Sequence, residues 1–534
     1  MRAATLMALV VVLAGWSRLG AADKPNLLVI LADDLGWSDI GCHGGEIPTP
    51  HLDRLAKNGL RVANFYNTAR CWPTRSSLLS GYYAQQVRRD SVPGMKSGGQ
   101  GQRPPWAPLV PERLAGAGYR SYLSGKWHVD GNPVGKGQGF ARSWVLDDHD
   151  RNFTPKNISI DGKPARGFAQ GKKDFFTSTA IADHAVDCLQ EHARLHADKP
   201  FFHLVAFTSP HFPLQAPAED IARQKGKYDK GWDALRAERV ARQKELGLPV
   251  VQPAPFERDL GPPYPFPKAM EALGPNELNR PLAWDSLSAE QKAFQAAKME
   301  VHAAMVERMD REIGRIVAQL EKAGALDNTL VLFLSDNGAS AEIMVRGDGH
   351  NQKAPAGSAE TFLCLGPGWS TACNAPFRRH KTWNHEGGIA TALVAHWPAG
   401  IPKERNGSVD LSLGHVVDIV PTALELAGVT VDAGSKAPAL PGQSLVPVLR
   451  GKQTRADATL WFRHEKSRAL RQGDWKIVST APTMEGEAPW ELYNLATDRG
   501  ETTNLAEKEP ARVAAMAAEW QKRWQAYQAD AKRE

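Results

Sequence analysis

The 534-residue chain is 42% hydrophobic, 23% charged and 8% aromatic, a globular composition that excludes a wholly disordered, collagen-like or multi-span membrane protein. Its net charge of +6 is scattered, with no basic run interleaved with aromatics, so no nucleic-acid partner is expected.

Arg2, the mostly apolar run from Ala3 to Gly15 and then Leu19-Gly20-Ala21-Ala22 have the layout of an export signal over residues 1–22. The run is shorter than the ~20 residues that span a bilayer. No later segment is longer and apolar, so the expectation is an exported, periplasmic or secreted protein with no stable membrane anchor. The five cysteines, Cys42, Cys71, Cys188, Cys364 and Cys373, leave at least one thiol unpaired. Cys364 and Cys373 are close enough in sequence to bridge, though spacing does not establish it. None of the five has zinc-ligand spacing.

Asn26 to Ala32 is almost continuously apolar, the pattern of a strand buried on both faces. Thr49-Pro50 opens a helix with Leu52 and Leu55 on one face, closed by Gly59. Phe201 to Phe207, Leu330 to Leu334 and Ala390 to Trp397 repeat the strand pattern. Lys225 to Lys244 reads as an exposed helix with Trp232 and Leu235 inward, and Ser288 to Ala323 as a long helix with a break expected at Gly314. Pro249 to Pro281 holds nine of the 37 prolines, which predicts a long surface excursion and not regular core. After Pro441 the texture changes to short strand-like pieces, such as Trp475 to Val478, and a final amphipathic helix from Pro510 to Ala529. The fold class is α/β: a large, mostly parallel sheet flanked by helices over 23–440, with a smaller C-terminal α+β domain over 441–534.

The carboxyl ends of such strands bind ligands. Asp33-Asp34 follow the first strand, and two adjacent carboxylates repel unless a cation lies between them. Ser335-Asp336-Asn337-Gly338 follows the strand Leu330 to Leu334. Three carboxylates and an amide form an all-oxygen set suited to Ca²⁺ or Mg²⁺. In Cys71-Trp72-Pro73-Thr74-Arg75 an arginine lies one turn from a cysteine, in a helix if Pro73 starts one, and helix N-termini attract anions. Gly125-Lys126-Trp127-His128 puts Lys126 and His128 two residues apart, on one side of extended chain. His211 follows the strand ending at Phe207, and Lys381 precedes His385-Glu386-Gly387-Gly388. Together these cations and acids fit a sulfate or phosphate ester. Cys42-His43 and the polar run Asp147, Asp148, His149 and Asp150 read as loops. Asn152, Asn157 and Asn406 head glycosylation sequons relevant only in a eukaryotic host.

With these elements in this order the chain resembles the type I, formylglycine-dependent sulfatases of the alkaline phosphatase superfamily, and bacterial arylsulfatases in particular from Phe377 to Pro398. The likeness runs from Asn26 to Asn504-Leu505-Ala506. It implies that a formylglycine-generating enzyme oxidises Cys71, and that the hydrated aldehyde supplies the hydroxyl that attacks sulfur and a second that expels sulfate. It implies Ca²⁺ ligands at Asp33, Asp34, Asp336, Asn337 and the modified Cys71, with Asp336 also activating the attacking hydroxyl. Arg75, Lys126 and Lys381 match the clamp on the transferring group. His128 resembles the residue that helps expel sulfate, and His211 and Lys381 the leaving-group donors. Three residues depart from the family pattern: Arg70 before Cys71, Trp72 after it, and Ser80 where Thr is usual.

The function implied is hydrolysis of sulfuric esters, with aryl sulfates and sulfated carbohydrates both open. A phosphodiesterase or phosphonate monoester hydrolase on the same scaffold is the alternative, and a sulfated-glycan-binding protein with unconverted Cys71 a third reading. Specificity is expected in the Pro249 to Pro281 excursion and other rim loops.

Overall fold

A computed structural model describes residues 24–146, 150–172, 174–430, 436–452, 455, 457–481 and 488–534. The export signal and three members of the polar run, Asp147, Asp148 and His149, lie outside them. Among the described residues no helix is long and apolar enough to cross a membrane.

Ten strands form the main sheet: β1 (Asn26–Ala32), β2 (Leu60–Tyr66), β3 (Arg120–Lys126), β4 (Arg142–Leu146), β5 (Ile158–Ile160), β6 (Lys163–Pro164), β7 (Phe201–Ala206), β8 (Thr329–Ser335), β9 (Ala390–His396) and β10 (Ser408–His415). Their order is β10-β2-β9-β8-β1-β7-β3-β4-β5-β6. The central β1 runs parallel to β7 and β8 on either side. Alternate residues of a strand face opposite ways. Leu28 and Ile30 therefore enter one core with Met299 and Ile313, while Leu27, Val29 and Leu31 enter the other with Leu78, Val420 and Leu424. Burial on both faces is why NLLVILA is almost wholly apolar.

β9 is antiparallel to both neighbours, β2 and β8. Residues that precede β9 therefore arrive at the edge where the parallel strands end, which brings Lys381 to the carboxyl ends of β1 and β8.

The helix Ala289–Lys322 is capped by Ser288 and Gln291 and is continuous, against the break expected at Gly314. A Cβ on Gly314 would lie 2.5 Å from the His51 ring, so the glycine serves close packing against the helix Pro50–Lys57. The excursion 249–281 is also more ordered than its prolines imply. It contains the helix Pro267–Leu273, and Glu257 within it pairs with Arg378 at 2.7 Å and Arg379 at 3.3 Å. In the helix Gly231–Glu245, Trp232 and Leu235 turn inward as expected, but so do Arg236 and Arg239.

Four antiparallel strands, β11 (Thr459–His464), β12 (Ser467–Gln472), β13 (Trp475–Ser479) and β14 (Glu491–Asn494), make a second sheet. The helix Pro510–Ala531 covers it, with Trp520 and Trp524 stacked on Trp461 at 5.6 and 6.0 Å. All five cysteines are free thiols. Cys364 and Cys373 do not bridge: the Cys364 thiol donates to the Met344 carbonyl at 3.2 Å, and Cys373 Sγ lies 3.9 Å from His302.

Candidate active site

The site gathers at the carboxyl edge of the main sheet. Asp33 and Asp34 leave β1, Asp336 and Asn337 leave β8, Lys126 ends β3, and His211 lies five residues beyond β7. The backbone locks these segments together. Asp33 N–H donates to Ser209 O at 3.1 Å, Asp336 N–H to Ala32 O at 3.1 Å, Lys381 N–H to Ala339 O at 3.2 Å and Thr382 N–H to Ala69 O at 2.8 Å. Cys71 is buried as the first residue of the helix Cys71–Ser80, whose backbone dipole favours an anion there.

Every one of these side chains is buried. Lys126 Nζ donates to Asp33 Oδ2 at 2.6 Å. Arg75 donates from Nε to Asp336 Oδ2 at 2.9 Å and from Nη1 to the Lys126 carbonyl at 2.9 Å. Lys381 Nζ lies 2.8 Å from Asp34 Oδ1 and 3.3 Å from Glu342 Oε2. Asn337 Nδ2 donates to Asp34 Oδ1 at 2.6 Å. Asp33 Oδ1, Asp336 Oδ1 and Asn337 Oδ1 are left buried with no hydrogen-bond partner among the described residues. Such oxygens are costly to bury unless a cation meets them. Three unpartnered oxygens from two adjacent strand ends are a donor set for a hard divalent ion, and Asp33, Asp34 and His211 also converge closely enough to share one.

The electrostatics follow from packing. Burial works to raise the Asp33 carboxyl, but Lys126, His211, Arg75 and Lys381 outweigh it and hold the group below the usual carboxylate range. Asp336 goes the other way, pushed well up by burial and by the Asp33 charge. Burial also lowers His211 to about 4 against the opposing pull of Asp34. His211 Nδ1 donates to the Phe212 carbonyl at 2.6 Å, so the neutral ring presents Nε2, 3.7 Å from Asp34 Oδ2, as an acceptor.

His128 departs from the expected geometry. β3 stops at Lys126 and His128 adopts a φ of 54°, so the two side chains do not share one face of a strand. The half-buried His128 ring instead lies 5.8 Å from Trp72. Asp150 accepts from the N–H groups of Lys156 and Asn157 at 3.0 and 2.7 Å, tying its loop upon itself.

Several buried groups had no signal in the sequence. Glu342 bridges Lys381 and Arg70, and nothing in its sequence surroundings sets it apart from an exposed loop carboxylate. A second buried cluster, Asp39, His302 and Cys373, lies outside this set. Both oxygens of Asp39 are engaged, Oδ1 by Arg239 at 2.6 Å and Oδ2 by His302 at 3.1 Å and Gly36 N–H at 2.9 Å.

A cation-ready oxygen cluster, three buried cations and a helix N-terminus at the carboxyl edge of an α/β sheet define a hydrolase of anionic tetrahedral esters. The family model "Sulfatase" matches residues 25–429. An uncharacterized sulfatase of Schizosaccharomyces pombe is 34% identical over 541 residues, covering 93% of this chain and 92% of that protein. The arylsulfatase of Klebsiella aerogenes is 33% identical, covering 80% and 92%. Among solved structures, Ps i-CgsB in complex with k-i-k-neocarrahexaose superposes with a TM-score of 0.65 at 23% identity, covering 94% and 93%, a likeness of fold. The chain belongs to the sulfatase family, within the alkaline-phosphatase-like superfamily, and is a sulfuric ester hydrolase.

Proposed function

We propose that the protein is an exported, calcium-dependent, arylsulfatase-like enzyme that uses formylglycine made from Cys71 to release inorganic sulfate from an alcohol or phenol. The observation that carries this is the set of unpartnered oxygens on Asp33, Asp336 and Asn337 beside Arg75, Lys126, Lys381 and Cys71. On this reading residues 1–22 are the export signal, 23–440 the catalytic domain and 441–534 the C-terminal domain.

Asp33, Asp34, Asp336 and Asn337 would hold the Ca²⁺, completed by the modified Cys71. The ion supplies charge that polarises the sulfate oxygens, and the hydrated formylglycine supplies the attacking hydroxyl. Arg75, Lys126 and Lys381 hold the sulfuryl group and offset the charge it develops, in a site that excludes water. Asp336, beside the hydroxyl-bearing residue 71, would take the proton of the attacking hydroxyl as its oxygen bonds to sulfur. Lys381 gives a proton to the departing oxygen. His211 does so only as the imidazolium, since its neutral form carries the proton on Nδ1. His128, packed beside Trp72, would assist sulfate release.

Arylsulfatase similarity favours aryl sulfates, and the oligosaccharide in the structural relative keeps sulfated carbohydrates in view. The test is sulfate release from 4-nitrophenyl sulfate with Ca²⁺, alongside the mass of the tryptic peptide Cys71–Arg75. Turnover with an aldehyde-mass peptide is the expected result. Faster turnover of bis(4-nitrophenyl) phosphate than of the sulfate would move the assignment to phosphodiesters. Retention on a sulfated polysaccharide with no turnover and an intact thiol would make the chain a binding protein.

A further inference from the structure

Arg70 is one of the three departures from the family pattern, and the catalytic reading above gives it no work. It is the residue before Cys71, in extended conformation at the N-cap of the helix Cys71–Ser80. Its side chain is only 12% exposed and is held along one prong: Nη1 donates to Glu342 Oε1 and to Thr382 Oγ1, both at 2.8 Å. Its guanidinium carbon lies 5.1 Å from the Trp72 ring and 5.8 Å from the Tyr264 ring. Tyr264 belongs to the proline-rich excursion and is itself fixed, its hydroxyl donating to Glu465 on the β11–β12 turn at 2.9 Å. The Nε–H of Arg70 is buried and has no acceptor among the described residues.

An arginine pinned by two neighbours and flanked by two rings has already lost the rotamer freedom that binding normally costs. An N–H left unpaired in a buried place is destabilising, and an incoming acceptor removes that penalty. The edge containing Nε is one side of the planar fork that grips carboxylate and sulfate through paired hydrogen bonds. The location separates this role from that of the catalytic cations. Arg75 and Lys126 pair with Asp33 and Asp336, whereas Arg70 pairs with Glu342 and lies against Trp72 and Tyr264. Glu342 joins the two regions, with one oxygen on Arg70 and the other on Lys381. Arg70 and Lys381, the proposed donor to the departing oxygen, are thus linked through a single carboxylate.

We propose that Arg70 is a specificity-determining residue that binds a second anionic substituent, a carboxylate or another sulfate, on the alcohol or phenol portion of the ester. Trp72 and Tyr264, which flank the guanidinium, would border the part of the substrate that bears it. The substrate class is then a sulfate ester with at least two negative charges. This inference rests on the sulfatase reading and deepens it.

The test compares the parent protein with Arg70→Gln and Arg70→Lys on two substrate pairs: 4-nitrophenyl sulfate against the same ester bearing a ring carboxylate, and singly against doubly sulfated glucosamine. The readout is the ratio of kcat/KM within a pair. Because both substrates meet the same sample, the ratio is independent of the fraction of Cys71 converted and of any loss to misfolding. The parent is expected to prefer the more highly charged member of at least one pair. Arg70→Gln should cut that preference about tenfold, and Arg70→Lys, a point charge without the fork, should keep part of it. A ratio that is the same in parent and Arg70→Gln for both pairs overturns the assignment. Sulfate release by the parent from any of the four esters tests the underlying reading separately: with it, an unchanged ratio sinks the role of Arg70 alone, and with none of the four turned over both fall.

Discussion

Lys476 Nζ lies 2.9 Å from Glu386 Oε1 with both side chains fully buried, so a strand of the C-terminal sheet and the turn that opens β9 share one ion pair. Glu386 also accepts from Tyr66 at 2.8 Å and Arg499 at 3.2 Å, and Lys476 reaches Glu501 at 2.8 Å. Burial works to raise Glu386, but Lys476, Arg499 and Arg471 outweigh it and hold the carboxyl at about 2. The turn carrying Glu386 follows Lys381, so the small sheet is tied to the segment that bears this lysine.

Removing one partner of such a pair strands the others. Lys476→Met should lower unfolding stability by about 3–5 kcal/mol, read as a fall in the denaturant midpoint at unchanged slope. Adding Glu386→Gln should cost less than the sum of the two single changes, because the second removes the charge that the first left unpaired.

Stripping divalent cations should abolish sulfate release and lower Tm, since an ion that binds only the folded chain stabilises it by about 2.7 kcal/mol at a hundredfold excess over Kd. Restoring Ca²⁺ should recover both. In Asp336→Asn the melting shift on adding Ca²⁺ should shrink. A shift of parental size in that variant would exclude Asp336 from the cation site.

Lys381→Met should lower kcat about 10²–10³-fold, the usual loss when one charge-stabilising donor is removed. Rates are to be normalised to the formylglycine content of the Cys71 peptide, so that poor maturation is not read as poor catalysis.

Much of this arrangement was legible in advance, and the reasons are physical. β1 spans Asn26–Ala32 as expected because a strand covered on both faces needs an apolar residue at nearly every position. Asp33, Asp34, Asp336, Asn337, His211 and Lys381 stood out because each follows or precedes such a strand, Arg75 because it lies one turn from Cys71, and Lys126 because it stands two residues from His128. Strand direction was not legible: nothing in Ala390–His396 says that it runs against its neighbours, yet that reversal delivers Lys381. Gly314 read as a helix breaker because the partner that requires it, His51, is far away in sequence. Glu342, Arg236 and Arg239 are charged residues whose burial depends wholly on tertiary partners.

Glu257 gives a pH test away from the cation ligands. Burial alone would raise its carboxyl, but Arg379 and Arg378 pull it down to about 2 from an ordinary 4.5. A depressed folded value means the stabilisation is fully present above about pH 4.5 and is lost as pH falls toward 2. Glu257→Gln should therefore be less stable than the parent by about 1–3 kcal/mol at pH 7. The gap should narrow steadily between pH 4.5 and the acid limit of folding; a gap independent of pH would show that the pairing contributes nothing.

The burial of Cys71 sets a timetable for the living chain. Lys381, whose neighbour Thr382 donates its N–H to Ala69 O two residues before Cys71, is encoded about 300 residues downstream. At ~5–20 residues per second the ribosome takes about 15–60 s to supply it. During that interval the Cys71 segment cannot yet be enclosed, whereas afterwards the thiol is sealed beneath the finished sheet edge. On the proposed conversion of Cys71, slowing translation downstream of it should thus raise the formylglycine fraction, and speeding the closure of the fold should lower it.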